Sequence, residues 1–274
     1  MMIRTSIIAI FASLLLQAAP ATQPTEIRVI ARADDMGAAQ AINEGCIQAY
    51  QAGIVRSVEV IVPGPWFLDA VRLLKEHPDL DVGVHLTLTS EWDRVKWRPL
   101  TWVNSFVDAN GYFHPTTEAF VQNKINLAEV ERELKAQIET ARRHLGPDRV
   151  THLSAHMGAA TATPQLKAIV DKLAKQYKLR TDDSLKKAAP FGNRTQSSDL
   201  RERALVGLLE SLEPGDWLIV EHPGYDTPEL RGLGHKGYEN VASDRSNVRR
   251  AFTSEPVLKA VKRRGIKLIS YREL

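Results

Sequence analysis

From Ile27 onward, short runs of β-branched and aliphatic residues alternate with longer segments whose apolar positions recur every three or four residues. The short runs predict strands and the longer segments amphipathic helices. The first run, Ile27-Arg28-Val29-Ile30, reads as a buried strand that stops at the pair Asp34-Asp35, before Met36-Gly37. Helix-favouring residues fill Ala38 to Ala52 up to Gly53, and a second strand spans Ser57 to Val62. Phe67, Leu68, Val71 and Leu74 put an apolar face on a helix over Trp66 to Glu76, and a third strand covers Asp81 to Leu88. The clearest helix starts at Asn126, which with Glu129 forms a capping-box-like start, and carries the stripe Leu127, Val130, Leu134, Ile138, Ala141, Leu145 up to Gly146-Pro147. Further strands are expected at Arg149 to Ser154, Leu179-Arg180, Trp217 to Glu221 and Ile266 to Ser270. Helices are expected at Pro164 to Tyr177, at Asp199 to Leu212, and once more before the last strand.

About seven strands alternating with helices predict a parallel sheet with its helices outside. At this length the pattern favours an α/β fold of the (β/α) barrel type, distorted by its strand number. No GxGxxG follows the first strand, which argues against a dinucleotide fold. One stretch, Thr89 to Lys124, lacks periodicity but is dense in aromatics, among them Trp92, Trp97 and Trp102. It reads either as a loop packed on the sheet or as a wall that stacks on a substrate.

Residues 1–23 carry Arg4, an apolar run from Ile7 to Leu16 and the small residues Ala18-Ala19-Pro20-Ala21. That is the pattern of a signal peptide, with a run shorter than the roughly 20 residues of a membrane-spanning helix. The expectation is an exported protein, periplasmic or secreted, with 24–274 as a single domain. The formal net charge of +3 includes Arg4, so the remainder is nearly neutral, and neither nucleic acid nor stable membrane insertion is expected. The single cysteine, Cys46, cannot form an internal disulfide and reads as a small core residue. Both a monomer and a homodimer remain open.

Candidate chemistry gathers at the strand ends. Asp34-Asp35, His85, His156 and His222 each fall at the carboxyl end of an expected strand, and in a barrel these ends converge on one mouth. Each has a plain structural reading as well: Asp34-Asp35 as a helix cap, each histidine as a hydrogen-bonded core residue. One Asp and two His also make a compact ligand set for a catalytic divalent metal. His114, His144, His152 and His235 receive no role.

The stretch ARADDMGAAQAINEGCIQAYQAGIVRSVEVIVPGP resembles the opening of the YdjC-like (ChbG/HpnK) carbohydrate deacetylase family. GVHLTLT, THLSAH, EHPG and the closing GIKLISYREL are similar to further elements of that family, in order, over nearly the whole chain past residue 23. The resemblance implies a (β/α) barrel, a divalent metal ion (Mg2+ or Zn2+) and hydrolysis of the acetamide of an acetylated amino sugar or oligosaccharide. By position it implies Asp35, His85 and His156 as metal ligands, Asp34 as general base and His222 as general acid. Arg180, at another strand end, either orients Asp34 or is a surface residue. The chain departs from the family pattern at Ser154, where Asp is usual, at Gly158, where a second histidine is usual, and at Arg32-Ala33, where Asn often precedes the acidic pair. Two rivals stand beside this reading. One is a metal-free glycosidase using Asp34 and Glu221; the other is a secreted carbohydrate-binding protein with a degenerate site.

Overall fold

The computed structural model describes residues 25–274, so the expected export segment lies outside the described residues. The first strand, β1 (Ile27–Met36), is longer than expected and is buried along almost its whole length. Helix α1 (Gln40–Gln51), β2 (Ser57–Val60), α2 (Phe67–Glu76) and β3 (Asp81–Leu86) follow. A short helix, α3 (Thr117–Val121), lies inside the aromatic stretch, and α4 (Leu127–Leu145) begins at the predicted cap, where the Asn126 side chain accepts from the N–H groups of Ala128 and Glu129. Then come β4 (Val150–Ala155), α5 (Pro164–Tyr177), β5 (Lys186–Lys187), α6 (Ser198–Ser211) and β6 (Gly215–Glu221). The chain ends with α7 (Pro228–Arg231), α8 (Val241–Phe252), α9 (Glu255–Arg263) and β7 (Lys267–Leu268). One last helix was expected where α8 and α9 stand. Pro256 lies in the first turn of α9, where its missing N–H costs nothing and its fixed φ favours a new start.

The strands pair in the order β4-β3-β2-β1-β6-β5, with β7 joined to the start of β1, and every pairing is parallel. The expected α/β class holds, and the sheet is a curled, parallel half-barrel: among the described residues no ladder joins β5 to β4 to close it. The reason lies between Arg180 and Lys186. Arg180 makes a single bridge to His152 beside β4, and the chain then turns through the short 3-10 helix Asp182–Ser184 and pairs with β6. So short a connection is no crossover, since parallel neighbours need about a dozen residues or more between them. The two short pieces therefore lie on opposite edges of the sheet.

The aromatic stretch packs. Trp97, Phe106, Phe113 and Phe120 are buried, and two carboxylates of α4 tie down the backbone. Glu133 accepts from the N–H groups of Leu100 and Thr101 at 3.0 and 2.8 Å, and Glu129 does the same for Asn104 and Ser105. Trp102 is 85% exposed and Trp92 only 1%, so of the two readings the packed loop holds for most of the stretch; of the three tryptophans, only Trp92 reaches the central cavity. Cys46 is buried, as expected. Among the described residues no helix is long and apolar enough to cross a membrane.

Candidate active site

Strand β1 runs through the acidic pair to Met36 instead of stopping at it. Asp35 takes a φ of 71°, and the pairing of β1 with β2 slips between Ala33 and Met36. In a regular strand, adjacent side chains point to opposite faces of the sheet. The bulge turns both carboxylates to one side: Asp34 Oδ2 lies 3.8 Å and Asp35 Oδ1 3.4 Å from His85 Nε2. Asp is among the few residues that accept the left-handed region, because its short polar side chain bonds locally. The cap reading of the pair fails, since the residue that caps α1 is Ala39.

Three of the expected residues meet at one point. His85 comes from β3, and His156 begins the turn that follows β4. One ring nitrogen each from His85 and His156 and a carboxylate oxygen of Asp35 all lie within 4.8 Å of one another, and all three residues are buried. His156 Nδ1 is 3.3 Å from Asp35 Oδ1. The outer nitrogens are occupied. His156 Nε2 donates to Glu91 Oε2 at 2.9 Å, and a carboxylate there can only accept. Ser154 Oγ lies 2.5 Å from His85 Nδ1 and accepts from it in the tautomer that leaves Nε2 free.

These contacts suit a cation. Asp35 Oδ1 is buried and has no hydrogen-bond partner, an expensive state unless a positive charge faces it. Asp35 Oδ2 is held by Arg245 Nη2 at 2.7 Å, so only Oδ1 is offered inward. Burial opposes charge on Asp35, but Arg245 and His222 outweigh it and hold the carboxyl well below its usual range. Burial likewise disfavours charge on His156, yet Glu91 and Asp35 push its pKa up to about 10, the mark of a pocket that prefers positive charge. Gly158, also in the left-handed region, offers no side-chain donor, so the candidate set is Asp35, His85 and His156.

The two residues expected to move protons flank this group. Asp34 is buried against Arg32, whose guanidinium reaches Oδ1 at 2.7 Å and Oδ2 at 3.1 Å. Burial raises its pKa, but Arg32 and His85 bring it below the ordinary value. His222 follows β6 on a turn fixed to its neighbours: the N–H of Gly224 donates to Arg245 O, that of Tyr225 to Ala41 O, and a Cβ on Gly45 would come within 2.5 Å of Gly224 Cα. His222 Nε2 lies 3.9 Å from Asp35 Oδ2, and its side chain is 40% exposed while the other site residues are closed in. Burial in the cleft lowers its pKa, but Asp35 and Glu221 raise it above the usual histidine value. A cavity of about 1060 Å³ opens over these strand ends, lined by His222, His156, Trp92, Tyr238 and the two aspartates among others.

Arg180 is exposed and does not touch Asp34. Glu221 lies 3.4 Å from Arg201 and 3.8 Å from His222 Nδ1, and the two-carboxylate alternative leaves His85 and His156 without a role. Sequence reasoning missed Glu91, Arg245 and the part played by Arg32 and Ser154. Glu91 sits beside Trp92 in the stretch without periodicity, and Arg245 lies in a helix among other polar residues, so neither carried a signal.

Fold and site together define a parallel α/β protein with a candidate metal centre at the mouth of its sheet. The YdjC-like protein profile matches residues 28–263, and the chain belongs to that family. A protein of Thermus thermophilus named carbohydrate deacetylase is 36% identical over 223 residues, covering 73% of this chain and 78% of the relative. One of the same name from Geobacillus stearothermophilus is 30% identical over 254 residues, covering 89% and 96%. A crystal structure from Enterococcus faecalis V583, named for cellobiose-phosphate cleavage, matches with a TM-score of 0.77 at 27% identity, covering 91% of this chain and 99% of that one.

Proposed function

We propose that this protein is a metal-dependent hydrolase that removes acetyl groups from N-acetylated amino sugars or their oligosaccharides. The relatives named carbohydrate deacetylase support the substrate class and the reaction. The observation that carries the metal is the unpartnered, buried Asp35 Oδ1 between His85 and His156.

A divalent ion held by Asp35, His85 and His156 would supply the positive charge that polarises the acetyl carbonyl. Two imidazole nitrogens beside one carboxylate favour zinc over magnesium, which prefers oxygen ligands. Asp34, ionised at neutral pH because Arg32 stabilises its charge, accepts a proton from the attacking water. His222, protonated through Asp35 and Glu221, gives a proton to the leaving nitrogen, which otherwise leaves poorly as an amide anion. Its exposure to the cavity, unlike that of the buried histidines, suits contact with substrate. The signal-peptide pattern at residues 1–23 supports an exported enzyme, periplasmic or secreted, acting on extracellular glycan fragments through a single domain, 24–274.

Acetate release from a panel of N-acetylated amino sugars, with and without a chelator, tests this reading. Release that stops on chelation and returns with added zinc or magnesium supports it. Cleavage of glycosidic bonds without acetate release would favour the metal-free glycosidase, and sugar binding without any turnover the binding protein.

A further inference from the structure

Arg32 stands in the apolar run of β1, yet its side chain is buried and fully committed. It lies two residues before Asp34, on the same face of the strand. Its Nε and Nη2 grip the two oxygens of Asp34 in the parallel, two-point geometry that a guanidinium fork makes with a carboxylate. Its Nη1 donates to the Tyr271 hydroxyl at 2.7 Å and to Asp182 Oδ1 at 2.9 Å, and the same hydroxyl donates to Asp182 Oδ1 at 2.6 Å. The triangle is closed, so the guanidinium cannot rotate without breaking several bonds. Tyr271 is itself fixed. Its ring lies flat on His152, with centroids 3.6 Å apart and planes 8° apart, and its N–H donates to Asp81 Oδ2 at 3.0 Å.

We propose that Arg32 is a positioning residue of this site: anchored by Asp182 and Tyr271, it fixes the Asp34 carboxylate so that Oδ2 faces His85 and the ligand set. The inference rests on Asp34 being the base. The fork occupies one lone pair on each oxygen and leaves Oδ2, the more loosely held of the two, able to accept a proton from water. A free carboxylate would sample several rotamers, and displacements near 1 Å cost on the order of 10²-fold in rate. Lysine cannot replace the fork, because a single ammonium cannot bind both oxygens in fixed geometry.

Three variants test it: Arg32→Lys, Arg32→Ala and Tyr271→Phe, each measured for kcat, KM, metal content and thermal stability. Arg32→Lys and Arg32→Ala should lose about 10²-fold in kcat, with KM and metal content near those of the wild type. Tyr271→Phe, which keeps the ring on His152 but removes the hydroxyl's two bonds to Arg32 and Asp182, should lose about tenfold, less than Arg32→Ala because Asp182 still holds the guanidinium. Guanidinium ion at millimolar concentration should restore part of the Arg32→Ala rate and none of the Asp34→Asn rate. A merely structural Arg32 would lower thermal stability and leave kcat per folded molecule unchanged, and that result overturns the proposal while the deacetylase reading stands. Should the wild type release no acetate, the deacetylase reading fails instead. The proposal is then decided by a crystal structure of Arg32→Lys, where an unmoved Asp34 carboxylate overturns it and a displaced one supports it.

Discussion

Ser154 Oγ lies 2.5 Å from His85 Nδ1, in the place where an outer partner sets the tautomer and angle of a metal-binding imidazole. The hydroxyl oxygen that faces the ring is neutral, so it holds the imidazole with less charge than a carboxylate would bring. Ser154→Ala should therefore weaken zinc binding by about 10- to 100-fold, the usual effect of losing such a partner. Ser154→Asp should tighten it. Calorimetric titration of the metal-stripped protein checks both, and unchanged affinity in Ser154→Ala would show that the hydroxyl does not orient His85.

For Asp34 and His222, the two groups assigned to proton transfer, opposite protonation states are required. Asp34 must be ionised, and Arg32 holds its pKa down, so the acidic limb of kcat against pH should lie below that of an ordinary aspartate. His222 must be protonated, and Asp35 with Glu221 raises its pKa, so activity should persist above the ordinary histidine range before it falls. Asp34→Asn and His222→Ala should each lower kcat by about 10²–10⁴-fold. Asp34→Asn should flatten the acidic limb and His222→Ala the alkaline one. A His222→Ala enzyme with a normal alkaline limb would remove that residue from the mechanism.

Trp92 and Trp102 should respond in opposite ways. Trp102 is 85% exposed, so Trp102→Ala should leave kcat, KM and stability within error of the wild type. Trp92, under the Arg245 guanidinium at 5.5 Å, is buried, and Trp92→Ala should cost about 3–5 kcal/mol of stability through the cavity it leaves. Urea unfolding measures both. A raised KM in Trp102→Ala would revive the idea of a substrate wall.

Glu59 offers a pH test of stability away from the reaction. Burial pushes its pKa up to about 8, partly relieved by Arg32, while burial holds the neighbouring His152 down to about 4. Below the unfolded value near 4.3 both states of Glu59 carry the proton and nothing is lost. As pH rises from there toward 8, the unfolded chain ionises and the folded one resists, so stability falls. Glu59→Gln should lie close to the wild type near pH 5 and exceed it near pH 8 by about 4 kcal/mol, the shift from about 4.3 to about 8 taken at roughly 1.36 kcal/mol per unit. Parallel unfolding curves at the two pH values would mean that the buried carboxylate is already charged.

Much of this was legible in the chain. His85, His156 and His222 stood out because each closes an apolar strand long enough to show its own pattern. The strand β5 and the open edge were not legible, because Lys186–Lys187 is two exposed residues without periodicity. Its pairing with β6 depends on how short the link from Arg180 is. The partners of Arg32 lay beyond local reading too: Asp182 is 150 positions away and Tyr271 is 239, so only the folded sheet brings them together.

The slip in β1 between Ala33 and Met36 has a consequence for transplanting this chemistry. An Asp-Asp motif grafted onto the tip of a regularly paired strand would deliver one carboxylate to the mouth and drive the other under the surrounding helices. A designer copying the site would have to carry over the irregularity along with the letters, and a one-residue deletion in that segment should abolish the site while leaving every ligand residue in the gene.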